Sequence, residues 1–191
     1  MEGRKDFPKL RRPRKYMSLP GDLVLGRVVN RQGEQYRVDI GDRFEAHLQF
    51  YDFEGATKRN RPQLESNTLI YARVESCSKL MNPVVTCKSL TNKKSWASGE
   101  ALFGVVKDGL VTECPIGLCQ KLLSKEHAYI LKDLGAIVAF EVIVGYNGRF
   151  WLNSRSQMNT ILLANTLLKA ESLSREDFAQ LLARVQGLLV S

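Results

Sequence analysis

The chain has 191 residues, with 28 Lys and Arg against 20 Asp and Glu, a formal net charge of +8. Its 44% hydrophobic and 25% charged content excludes a wholly disordered or collagen-like chain and allows one large domain or two small ones. No apolar run approaches the ~20 residues of a membrane helix and no secretory pattern opens the chain, so no membrane association is expected and the positive excess points to an anionic partner.

The charge is unevenly spread. Residues 1–15 hold Arg4, Lys5, Lys9, Arg11, Arg12, Arg14 and Lys15 against Glu2 and Asp6. With Pro8 and Pro13 and little apolar periodicity, residues 1–19 read as a flexible basic arm, either a solubilising tail or a phosphate-binding segment. Residues 20–95 carry twelve basic and nine acidic side chains, and residues 96–191 carry nine of each. The second half is therefore neutral.

Period-two patterning begins at Pro20. A strand over 23–29 is interrupted by Gly26, which suits a sharply bent barrel strand. Gly33 turns the chain into a strand over 35–40, with Tyr36, Val38 and Ile40 inward and Arg37 and Asp39 outward. Gly41-Asp42 turns it again into 43–48, with Phe44, Ala46 and Leu48 inward and Arg43, Glu45 and His47 outward. A long loop precedes two further strands over 68–76 and 84–89. Five short strands with one long excursion fit an S1-type OB-fold barrel over 20–95. Such barrels meet single-stranded nucleic acid on the outer face of strands two and three, where Arg37, Arg43 and His47 fall here. With outward aromatics scarce on that face, because Tyr36 and Phe44 fall on the inward parity, a grip on RNA would be mainly electrostatic and would discriminate bases weakly.

The loop over 53–62 reads FEGATKRNRP. Lys58, Arg59 and Arg61 put three cations within four residues between two strands, a density that suits a phosphate-tracking surface. Lys58, Arg59 and Arg61 are thus the leading RNA-binding candidates, with Arg37 and His47 behind them.

Four cysteines and two histidines show no spacing of a zinc site. Cys77 and Cys87 flank a predicted turn at 81–83 and could face each other across a hairpin. Cys114 and Cys119 lie five apart. Reduced thiols of a cytosolic or nuclear protein are expected, with no metal and no cofactor.

Beyond residue 96 the periodicity changes. A strand over 110–112, helices over 115–123 and 125–134, strands over 137–144 and 149–153, and a helix through Met158, Ile161, Leu162, Asn165 and Leu168 follow in order. Pro115 opens the first helix and Gly135 closes the second. Ser174 starts a last helix with an apolar stripe of Phe178, Leu181, Leu182 and Val185. This order suits a KH-type domain over 96–191, making the whole chain α+β.

Gly145, Asn147 and Gly148 lie in a G-x-x-G pattern of the kind with which KH domains clamp a nucleic-acid backbone. In that arrangement the glycines join two helices, a position that falls here at 123–126, Leu-Ser-Lys-Glu, with no glycine. The glycines present join two strands instead, where Asn-Gly is favoured because both residues tolerate positive φ. A structural turn is the reading. Catalysis is not expected either: Asp39 with Asp42, and Asp52 with Glu54, look like solvated acids rather than a metal-holding cluster. Neither histidine has an evident nucleophile and orienting acid, and no phosphate loop occurs.

The segments GDLVLGRV at 21–28, YRVDIG at 36–41, FEGATKRNRP at 53–62, GYNGRFW at 145–151 and TILLAN at 160–165 together resemble the cap subunit of the eukaryotic RNA exosome, the ribosomal RNA-processing protein 40 family with S1 and KH domains. The resemblance covers roughly residues 16–190. It implies a non-catalytic subunit of a hetero-oligomer, seated on a ring of RNase PH-like subunits beside other cap subunits. There it would guide single-stranded RNA toward a central channel for 3′-to-5′ processing and decay, ribosomal RNA included. It implies a location in the nucleus, including the nucleolus, and in the cytoplasm. It also implies that Gly145, Asn147 and Gly148 pack the KH-type domain on the barrel. Family members usually carry a folded β domain before the barrel, which the 19 residues preceding Pro20 are too few to form. The alternative is a mainly architectural subunit whose basic loop meets neighbouring proteins rather than RNA.

Overall fold

The computed structural model describes residues 16–57, 59–78, 80–91, 93–98 and 100–187. Of the predicted basic arm, residues 1–15 lie outside them, as does Lys58 of the basic loop.

Strands β1 (Leu23–Gln32), β2 (Gln35–Asp39), β3 (Ala46–Phe53), β4 (Leu69–Ser78) and β5 (Met81–Cys87) form a sheet in the order β1-β2-β3-β5-β4, and a further β1–β4 pairing closes it into a barrel. The β3–β5 pairing is parallel and the others antiparallel. Closure makes β1 pair along both edges, with Arg27 opposite Asp39 and Gly26 opposite Ile70. Gly26 permits this, because a Cβ there would overlap the Val38 side chain and lie 3.2 Å from Ile40 Cγ2. Alternate residues fill the interior, among them Val24, Tyr36, Val38, Leu48, Phe50 and Val85. The packing continues past residue 95: β6 (Gly104–Val105) pairs with β4, and Trp96 and Phe103 join the barrel core.

Two expectations fail in this half. The third strand starts at Ala46, not 43, and runs on to Phe53. Asp42 accounts for the delay, since its carboxylate accepts from Ser18 N at 2.9 Å, from Ser18 Oγ and from Arg43 N at 2.5 Å, holding the segment in a bend. Phe44 is consequently half-buried outside any strand, with the Arg43 guanidinium 5.2 Å from its ring centre. The β4–β5 turn also precedes Met81 instead of lying at 81–83, so that Ser78 pairs with Met81 and Ser76 with Val84. Cys77 and Cys87 do not meet in this register. Cys77 Sγ donates to Ser18 O at 3.2 Å and Cys87 Sγ points to Tyr71 O at 3.7 Å.

The second half follows the order strand, two helices, two strands, helix: β7 (Leu110–Glu113), α1 (Ile116–Leu123), α2 (Tyr129–Ile137), β8 (Phe140–Gly145), β9 (Arg149–Ser154) and α3 (Gln157–Lys169), with α4 (Arg175–Gln186) behind. The antiparallel sheet β7-β9-β8 is covered on one face by helices, with Phe150 and Leu152 packed among Leu118, Leu134, Leu163 and Phe178. α2 runs through Gly135 to Ile137 instead of ending there. Burial of Leu134 and partial burial of Ile137 in this core outweigh the ~1 kcal/mol that a helical glycine costs. In α3, Met158 and Ile161 of the predicted series are exposed and the buried side carries Leu163 and Leu167. α4 is capped as the sequence suggests, with Asp177 N donating to Ser174 Oγ at 3.2 Å.

Candidate nucleic-acid interface

The outer face of β2 and β3 is set by their register, which places Arg37 directly opposite His47 and Gln35 opposite Gln49. The two predicted residues are therefore neighbours, but each already has a partner. Arg37 Nε lies 2.6 Å from Glu45 Oε2, and His47 Nε2 lies 2.7 Å from Asn82 Nδ2. Because β3 extends to Phe53, Tyr51 falls on the same parity as His47 and Gln49 and is half-buried. It is an outer-face aromatic that the shorter predicted strand concealed.

The basic loop leaves β3 at the buried Phe53 and returns past the buried Pro62. Gly55 takes φ +75 and would crowd Ser95 Oγ, 3.1 Å from its Cβ position, if it bore a side chain. Thr57 N donates to Asn60 O at 2.8 Å, and Asn60 N donates back to Thr57 Oγ1 at 3.1 Å, closing the tip. The Tyr36 phenol fixes the returning limb: its hydroxyl donates to Pro62 O at 3.1 Å and accepts from Leu64 N at 3.2 Å. A mainly buried tyrosine thus anchors an exposed loop to the second strand.

On this frame Arg59 is exposed, whereas Arg61 is half-buried with its guanidinium 4.7 Å from the Phe50 ring centre. Arg31, from the end of β1, lies at the same 4.7 Å from that ring. Sequence reasoning missed Arg31 because it lies well before the loop, on another strand; its position opposite Tyr36 in the β1–β2 register was the available signal. Arg31, Arg59 and Arg61 form a basic edge at one end of the barrel. Guanidinia stacked on an aromatic face keep their in-plane donors directed outward, in the geometry that suits phosphate. Nearby Lys88 and Lys93 are paired with Asp52 at 3.2 Å and Glu54 at 3.9 Å, so those acids are occupied rather than solvated.

The β8–β9 turn is built the other way. Gly145 pairs with Arg149, leaving three residues in the loop, and Gly148 alone takes positive φ, at 73. Asn147 therefore does not serve by tolerating positive φ, as its sequence context suggested. Its buried amide enters the barrel wall: Oδ1 accepts from Leu25 N at 3.2 Å while Nδ2 donates to Leu25 O at 2.7 Å and Ile40 O at 3.0 Å. Tyr146 N adds a bond to Leu23 O at 2.8 Å. The glycines make room, since a Cβ on Gly145 would collide with Asn147 Oδ1 and one on Gly148 would lie 2.8 Å from Cys114 O. Arg149 completes the junction, donating to Asp39 O at 3.0 Å and to Asp39 Oδ2 at 2.8 Å. Burial alone would raise the Asp39 pKa, but the Arg149 and Gly41 N–H hydrogen bonds prevail and hold its carboxyl below the usual range. The helix–helix connection, where a nucleic-acid clamp would lie, is instead capped by Ser124, whose side chain accepts from Glu126 N at 3.2 Å.

Among the described residues no group of three or more His, Cys, Asp or Glu side chains could hold a metal ion, and no helix is long and apolar enough to cross a membrane.

Two family models match this chain: the S1 domain of exosome complex component RRP40 over residues 16–99 and a KH domain over residues 109–158. Among curated proteins, the exosome complex component RRP40 of Drosophila melanogaster is 39% identical over 158 residues, covering 83% of this chain and 65% of its own length. The Schizosaccharomyces pombe protein of that name is 34% identical over 167 residues, 87% of this chain and 67% of its own. The Mus musculus protein is 34% identical over 172 residues, 90% of this chain and 61% of its own. The chain thus spans 61–67% of the length of these relatives. The crystal structure of a candidate exosome complex RNA-binding protein covers 90% of this chain and 95% of its own, with a TM-score of 0.68 at 19% identity, a likeness of fold.

Proposed function

Since the chain belongs to the family of exosome complex component RRP40, we propose that it is a non-catalytic cap subunit that guides single-stranded RNA toward the processing channel of an exosome. The observation that carries this reading is the basic edge of Arg31, Arg59 and Arg61, raised on Phe50 and on the Tyr36-anchored loop. Its cations would follow phosphates, and Lys58 would extend the same track by its place in the loop sequence. Tyr51 supplies one ring for stacking a base, which is sequence-tolerant. The neutral KH-type half would face the RNase PH-like ring and the other cap subunits of the hetero-oligomer. Processing and decay of RNA, ribosomal RNA included, would then be carried out elsewhere in the assembly, in the nucleus, the nucleolus and the cytoplasm.

Charge reversal tests the RNA track. In Arg59→Glu with Arg61→Glu, the slope of log affinity against log salt for a single strand should flatten by about 0.7 per phosphate contact removed, with affinity at low salt falling at least tenfold. An unchanged slope and unchanged crosslinking of RNA to the assembled complex would remove the RNA role from this loop.

The architectural reading has its own observation: Arg37 and His47 are already engaged by Glu45 and Asn82, which leaves the outer sheet face poor in free cations. If the double reversal weakens ring association while RNA affinity holds, that second reading replaces the first.

A further inference from the structure

Directly behind the β8–β9 turn, Cys114 and Cys119 bring their sulfurs to 3.2 Å. Cys114 follows β7 and Cys119 lies in the early part of α1. Pro115 at the helix start folds the chain back so that the two side chains meet, which a spacing of five did not reveal. All four cysteines are free thiols, Cys119 buried and Cys114 half-buried. The hydrogen bond from the Cys114 thiol holds Cys119 below the ordinary thiol range; burial opposes this and the Gly148 backbone N–H supports it. The same shared proton, together with burial, pushes Cys114 up. The two sulfurs are thus already in contact, so that once one is oxidised the other is placed to resolve it. Cys77 and Cys87 differ in that each points to a backbone carbonyl and not to another sulfur.

We propose that Cys114 and Cys119 form a redox modification site, a dithiol that a small hydroperoxide converts to a disulfide. The Cys119 thiolate attacks one peroxide oxygen, the O–O bond breaks, and sulfenic acid forms as hydroxide leaves and takes up a proton. Cys114, giving its proton to the departing hydroxyl, then attacks the sulfenic sulfur and closes the S–S bond. Two thiols and one hydrogen peroxide give one disulfide and two waters. From 3.2 Å the sulfurs must approach by about 1 Å to reach disulfide length. Cys119 is buried and Cys114 half-buried, which favours hydrogen peroxide over bulky disulfides as the oxidant.

The full chain tests this directly. After titration with hydrogen peroxide, free thiols are alkylated and the intact and digested masses are read. The expected result is a loss of two hydrogens, with Cys114 and Cys119 leaving the alkylated set together while Cys77 remains in it, and full recovery with dithiothreitol. Cys114→Ser, a near-isosteric change at the half-buried position, should abolish that loss. The proposal is overturned if Cys77 reacts before the pair, if Cys114 advances to sulfinic or sulfonic acid without a crosslink, or if the two-hydrogen loss persists in Cys114→Ser.

Discussion

The loop between β3 and β4 and the turn between β8 and β9 both carry residue types by which proteins hold nucleic acid, yet they spend them in opposite directions. The first commits its backbone to the fold through Tyr36 and leaves Arg59 in solvent. The second drives its polar side chain inward, so that Asn147 meets Leu25 and Ile40 of the barrel. The lesson is that a motif's spacing does not say which way its donors point. The partner of each polar group does, and at 145–148 that partner is the protein's own other half.

This contrast is most exposed to test at Asn147. Its amide satisfies three buried backbone groups, and unsatisfied buried groups cost about 1–3 kcal/mol each. Asn147→Ala is expected to lower unfolding stability by on the order of 3 kcal/mol, read as a lower urea midpoint, with RNA affinity of the folded fraction unchanged. Weaker RNA binding at unaltered stability would instead return the turn to the clamp role. Tyr36→Phe probes the opposite region and should cost less. It strands Leu64 N and Pro62 O at the loop's return, for about 1–2 kcal/mol, and should raise hydrogen exchange at Leu64. If exchange there is unaltered, the loop is held by something other than the phenol.

Much of this was legible in the sequence, and the misses have common causes. The inward parity of Tyr36, Val38 and Ile40 emerged from alternation, because a one-residue slip would expose all three. The KH-type order emerged from the switch of hydrophobic period. The start of β3 did not, because Asp42 holds residues 41–44 through Ser18, a contact 24 residues away that no local pattern contains. That error hid Tyr51. Arg31 and Arg61 could be counted as cations, but not as two guanidinia on the one ring of Phe50, since only the register of β1 on β2 and of β2 on β3, with the loop's return at Pro62, brings those three positions together. The Cys114–Cys119 contact escaped for a similar reason, requiring the reversal at Pro115.

The smallest expected effect lies at Asp39, where the junction meets the barrel's second strand. Its carboxylate is tied to Arg149 and the Gly41 N–H, which keep its pKa below the unfolded value of about 3.9. A group depressed in this way contributes stability above its unfolded pKa and loses it as pH falls through the folded one. The contribution should therefore be complete at about pH 5 and above and be lost progressively as pH falls from about 4 through the lower folded pKa. Because the Asp39 side chain is 45% exposed, solvent screens the pair and the slope will be shallow. Arg149→Met should flatten the acid limb of the melting temperature below about pH 4 while also lowering the plateau, since the bond to Asp39 O is lost at every pH. Asp39→Asn separates the two contributions: it removes the titrating carboxylate but keeps the Arg149 bond to the backbone oxygen of residue 39, so the acid limb should flatten with a smaller drop in the plateau than Arg149→Met gives. Were both variants to keep the wild-type acid limb, the charge at Asp39 would have no part in holding the two halves together, and the junction would rest on the bonds of Asn147 and Tyr146 and on that from Arg149 to the backbone oxygen of residue 39.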